Sequence, residues 1–165
     1  MPSPHQNLLS PVAIAERYGL CAFSVNVLSI ERTVVEKIIA LIRASREKRP
    51  DVALKSRIHH IYDLCMIKHN ADFAPLFQDG ALLKMLSIVE HADREQFSSA
   101  GDWLDQPLSQ AAIFANTEQT WSHIRGEFHG RFAVMVYDSD LPSDKEVIGM
   151  LDAVHKQLKQ YRMLA

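Results

Sequence analysis

Lys37 and Asp63 are the side chains with the most chemistry to offer. Lys37 stands on the flank of an apolar helical stripe, beside Leu41 and away from the stripe's centre. Such a lysine either snorkels, burying its stem and wetting its ammonium, or reaches across a cleft to a phosphate as a compact point charge. Asp63 lies one turn after His60, on a face that also carries Leu64 and Ile67, roughly opposite Ile58, Ile61, Tyr62 and Cys65. A helix apolar on one side and mixed on the other packs on both, which holds Asp63 at an interface as a carboxylate for proton or metal work. The alternative is a solvated His/Asp pair. Arg43 and Glu36 lie further round the first helix.

Other constellations are weaker. His59, His60 and Asp63 have helical spacing for a metal, yet adjacent histidines point about 100° apart and do not easily share one ion. His123 and Glu127 are four apart with no third ligand. Asp138-Ser139-Asp140 could end a strand over 132–137 and present two carboxylates to a cation. The device calls for a preceding Gly-Ser turn, where this chain has Gly130-Arg131, and helical phase continues from Trp121 through Met135. A helix running into a loop is the preferred reading, with no metal site. Cys21 and Cys65 lack any zinc-like spacing and read as buried free thiols.

The elements that must position these groups are mainly helical. Ser29 caps a first helix with Glu31 in its first turn and Val34, Ile38 and Leu41 beside Val35, Ile39 and Ile42. It ends at Arg46-Glu47-Lys48-Arg49-Pro50. A second helix is expected from Lys55 to His69, a short turn over 72–77, and a third helix over 81–97. Residues 98–116 are ambiguous, with Trp103 and Leu104 tucked onto the core. A long helix from Thr117 carries Trp121, Ile124, Phe128, Phe132 and Met135, with Gly126 and Gly130 read as points of close helix packing. The last helix has the clearest start, a capping box of Ser143 and Glu146 before Val147, Leu151, Val154 and Leu158. Before Ser29, the alternation of Phe23, Val25 and Val27 with Ser24 and Asn26 reads as a strand, with a second near 12–14. The expected fold is therefore mainly α: about five helices over 29–165, preceded by an arm (1–28) of one or two short strands.

Length and composition agree. The 165 residues suit one domain; 18 Lys+Arg against 20 Asp+Glu argue against nucleic-acid binding by bulk charge. No apolar run reaches the roughly 20 residues of a membrane span, and the start lacks the pattern of a secretory leader. A soluble cytoplasmic protein is the expectation.

Three segments carry a resemblance. Val27-Leu28-Ser29-Ile30-Glu31-Arg32-Thr33, then Glu36-Lys37-Ile38-Ile39-Ala40-Leu41, then His60-Ile61-Tyr62-Asp63-Leu64 resemble the AbiEii/AbiGii family of nucleotidyltransferase toxins, in which a strand runs into "LSPERT…EK…L" and "H.YDL" follows on the next helix. Trp121, Glu127-Phe128, Met135-Val136-Tyr137 and Leu141-Pro142-Ser143 are similar to the family's last helices. The likeness covers about 25–160. It implies the toxin of a type IV toxin–antitoxin or phage-abortive pair, transferring a nucleotide from a nucleoside triphosphate, with RNA acceptors in some members. Lys37 would match the lysine on the nucleotide phosphates, Arg43 the arginine of the same motif, Asp63 the general base, and His60 a frequently basic place. Two departures follow. Ile30 replaces the usual proline, and the Gly-Ser turn and acidic pair that hold Mg²⁺ in the family's N-terminal α/β domain have no counterpart before Val25. The expectation is a helical portion carrying half a site and inactive alone, with Mg²⁺ and nucleotide engaged only when a separate nucleotidyltransferase domain is supplied. The alternative is a non-catalytic module that binds an antitoxin-like protein or its own copy. The lost sheet cover of the arm predicts a homodimer. Lys37 and Asp63 should then face one cleft.

Overall fold

The computed structural model describes residues 17–19, 24–78, 80–96, 105–137 and 141–164. Among them are seven α-helices: α1 (Ile30–Ser45), α2 (Pro50–Ser56), α3 (Ile58–His69), α4 (Leu83–Gln96), α5 (Ala112–Ala115), α6 (Thr117–Glu127) and α7 (Asp144–Leu164). The five expected helices correspond to α1, α3, α4, α6 and α7; α2 and α5 are short additions.

α3, α4 and α5 lie between α1 and α7, each touching both, while α2 and α6 pack on one another. One continuous apolar core results. α1 contributes Val34, Val35, Ile38, Ile39, Leu41 and Ile42, and α7 contributes Val147, Met150, Leu151, Val154 and Leu158, all fully buried. At roughly 25 cal/mol per Å² of apolar area, burial of these two stripes favours the folded chain.

The local signals explain most boundaries. Ser29 caps α1, its hydroxyl accepting from the Arg32 N–H at 3.2 Å. The capping box of α7 is formed in both directions: the Ser143 N–H donates to Glu146 Oε2 at 2.8 Å, and the Glu146 N–H donates to Ser143 Oγ at 3.3 Å. Gly80 adopts φ +78°, a conformation other residues resist, before α4.

Four expectations need correction. The helix expected from Lys55 instead breaks at Arg57, whose N–H bonds the Leu54 carbonyl, while the Ser56 hydroxyl bonds back to Ala53 O. Such back-bonding competes with helix propagation. Residues 24–29 form no strand and are exposed, so no strand exists among the described residues; Phe23 and the segment near 12–14 lie outside them, as do Trp103, Leu104, Cys21 and Asp138–Asp140. After Glu127 the expected long helix continues as a π-turn (Phe128–Phe132) and a 3₁₀ turn (Ala133–Met135). The changed hydrogen-bond step shifts the phase, so Phe128 and Phe132 are buried but Met135 is exposed. Gly126 and Gly130 face open space, where an added Cβ would meet nothing within 4 Å, so they do not mark close packing. The less favoured strand reading of 132–137 fails because 132–135 are helical.

Candidate functional site

α1 and α3 converge on one polar point. The Lys37 Nζ donates to Asp63 Oδ2 at 2.7 Å, joining residues 26 apart in sequence. Core packing dictates the meeting: Ile38 and Leu41 on α1 and Ile61 and Leu64 on α3 are fully buried, which turns the flanks bearing Lys37 and Asp63 toward each other. The Lys37 side chain is 18% exposed and that of Asp63 37%. The ammonium is thus largely covered, and the carboxylate keeps an open side. Leu64, on the Asp63 side of α3, is fully buried, as expected of a helix packed on both faces.

His60 completes the cluster. Its pKa is pushed down to about 4, first by burial, then by the neighbouring charges of His59 and Lys37, against an upward pull from Asp63. At neutral pH it is an uncharged imidazole, able to hydrogen bond but not to attract an anion by charge. Its Nδ1 is buried without a hydrogen-bond partner, while its ring packs on His59 with centroids 4.1 Å apart. A buried polar atom without a partner is uncommon, and here it stands beside a half-covered ion pair.

Arg43 is placed elsewhere. It lies about 120° round α1 from Lys37 at 100° per residue, on the flank that faces α4. There it lines a polar groove of about 280 Å³ with Arg32, Glu36, Asp93 and Gln96. Arg32 donates to Glu36 at 2.9 Å. Asp93 has one buried oxygen without a partner, and its pKa is raised chiefly by burial, with Arg43 pulling it down and Glu36 pushing it up. The structure therefore brings Lys37, Asp63 and His60 together and sets Arg43 on the opposite edge of the outward face of α1. Sequence reasoning missed Asp93. Its signal was available: Leu82, Leu86, Val89 and Asp93 fall on one helical stripe, so a carboxylate continues an apolar face.

No three His, Cys, Asp or Glu side chains converge among the described residues. Asp63 is the only carboxylate that the cluster offers, and it already accepts from Lys37, so these residues do not make a cage for a divalent ion. Cys65 is buried with its thiol pushed up to about 12 by desolvation, which makes it a poor nucleophile. No helix of the described residues is long and apolar enough to cross a membrane.

Compared with known protein families, residues 2–141 match the one described as nucleotidyl transferase AbiEii toxin, type IV TA system. The match begins at residue 2, so it takes in residues 2–24, which the motif likeness did not reach. It ends before α7. No curated protein and no solved structure matches the chain significantly.

Proposed function

The chain belongs to the AbiEii nucleotidyltransferase toxin family of type IV toxin–antitoxin systems, and from that premise we propose that the Lys37–Asp63 cluster is the helical half of a nucleotide-transfer site. The 2.7 Å contact between two groups 26 residues apart carries this reading, because transfer needs a phosphate-binding cation and a proton acceptor within one side-chain length of each other.

The roles follow from the chemistry. Lys37, a covered point charge, holds a phosphate oxygen of a nucleoside triphosphate. Asp63 accepts the proton of an acceptor hydroxyl, that oxygen forms a bond to the α-phosphorus, and the α–β bridging bond breaks with its electron pair leaving on pyrophosphate. His60, neutral, orients one partner by hydrogen bonding. Arg43 serves the nucleotide only from the far edge of α1, as an electrostatic contributor. In-line transfer draws on a divalent ion for charge neutralisation. The described residues do not fit such an ion, and we propose that a metal-binding nucleotidyltransferase domain completes the site. RNA is the acceptor class that the resemblance implies. The antitoxin partnership of the family extends to this chain.

The experiment is label transfer from an α-labelled nucleoside triphosphate to RNA, with and without an added AbiEii-type nucleotidyltransferase domain. Transfer that depends on the added domain and falls at least 100-fold with Asp63→Ala supports the reading. Transfer indifferent to Asp63 refutes it.

A second reading, a protein-binding module, is favoured by one observation. Val25 and Val27 in the extended segment before α1 are 66% and 83% exposed, and Val134, Met135 and Tyr137 are exposed after the π-turn. Apolar side chains in such number invite a partner. The extended segment supports self-association as a two-fold dimer.

A further inference from the structure

We infer that the Lys37–Asp63 ion pair is a substrate-operated latch: each group blocks the other until a polyphosphate takes Lys37 and thereby releases Asp63 as the base. The inference rests on the half-site reading and adds its regulation.

Three observations carry it. First, the pair is closed, at 2.7 Å, so Oδ2 is already spent on the ammonium. While Oδ2 accepts from Nζ, it faces the ammonium and not the hydroxyl of an acceptor. Second, little else near the pair supplies positive charge, Arg57 being the weakest of the charged groups that act on His60. His60 is uncharged at neutral pH, with its pKa pushed down to about 4, and Arg43 faces the other edge of α1 in the groove against α4. The latch is electrically neutral when closed and offers an approaching anion little attraction. Third, the exposures are unequal. Asp63 is twice as exposed as Lys37, so the carboxylate is the group that can swing into solvent while the covered ammonium stays in place.

Lysine has three donors, so a phosphate could in principle join the pair without opening it. Repulsion decides against that. A polyphosphate oxygen bonded to Nζ would lie roughly 5 Å from the carboxylate with its further phosphates close behind, and the summed repulsion of several like charges opposes the single attraction that holds Asp63 to Nζ. Binding therefore ejects Asp63.

The test is calorimetric titration of the full chain with inorganic tripolyphosphate at pH 7.5, for wild type, Asp63→Asn, Lys37→Ala and the double variant, each checked by circular dichroism. Asp63→Ser stands in should Asp63→Asn not fold. The latch predicts that removing the supposed base tightens binding about ten-fold, that Lys37→Ala abolishes it, and that the double variant resembles Lys37→Ala. Unchanged affinity in Asp63→Asn, with loss in Lys37→Ala, overturns the latch and leaves the half-site standing. A double variant as tight as Asp63→Asn overturns it also, since bulk charge rather than Lys37 would then be responsible. Absence of binding in every variant overturns the latch and leaves the half-site to the label-transfer experiment with the added domain.

Discussion

Substituting Lys37 and Asp63 singly and together separates a functional pair from a structural strut. The docking of α1 on α3 rests on Val34, Ile38 and Leu41 against Ile61 and Leu64, all fully buried without help from the pair. Exposed ion pairs contribute about 0.2–1 kcal/mol, whereas breaking a fully buried pair costs about 3–5 kcal/mol. With side-chain exposures of 18% and 37%, this pair falls toward the lower bracket. Asp63→Ala leaves a covered ammonium alone and should cost about 2 kcal/mol. Lys37→Met leaves the more exposed carboxylate and should cost about 1 kcal/mol. The double variant, with no charge to strand, should cost between nothing and about 1 kcal/mol, which gives a coupling of about 2–3 kcal/mol. Urea denaturation followed by far-ultraviolet circular dichroism measures all four species. A coupling of about 4 kcal/mol or more, or a double variant that fails to fold, would contradict the argument and make the pair a structural clamp.

Three further outcomes follow from other parts of the molecule. Gln157, 1% exposed, donates to the Leu76 carbonyl and accepts from the Leu82 N–H, both at 2.9 Å, so Gln157→Leu strands two backbone groups and should cost about 2–4 kcal/mol in thermal or urea unfolding. The raised pKa of Asp93 means that the native state binds its proton more tightly than the unfolded chain, a contribution present below the ordinary value of 3.8 and lost as pH rises through the native value. Asp93→Asn should therefore be more stable than wild type at pH 7, with the gap closing toward pH 3.8 and below; a gap that widens in acid contradicts the assignment. Light scattering of the full chain beside a chain starting at Ser29 should give a dimer and a monomer respectively, and monomers in both would remove the self-association reading.

Much of the fold was legible because its signals are local. Ser29 and the Ser143/Glu146 capping box name their helices by hydrogen bonds within three residues, and the stripes of α1 and α7 repeat long enough to fix a face. The Lys37–Asp63 meeting was legible too, because two flanks set by two long stripes leave few ways to pack. What was hidden depends on competition between weak terms. At Arg57, Ser56 back-bonding against helix propagation shortens the run without proline or glycine. From Phe128 to Phe132 a change of hydrogen-bond step keeps two aromatic rings inward, stacked with centroids 5.6 Å apart, and alternation of apolar residues cannot reveal it. Arg43 was grouped with Lys37 by motif, although the wheel already set them about 120° apart. The strand expected before Ser29 failed because alternation alone makes no ladder: a strand needs a neighbour, and Ser24–Val27 have none among the described residues.

The most direct measurement of the central claim is calorimetric binding of a nucleoside triphosphate with Mg²⁺ to the full chain, wild type against Lys37→Ala, with and without the added nucleotidyltransferase domain. The account predicts binding by wild type that weakens at least ten-fold on removal of the ammonium. Equal binding by the two proteins, or none with the added domain present, would contradict it.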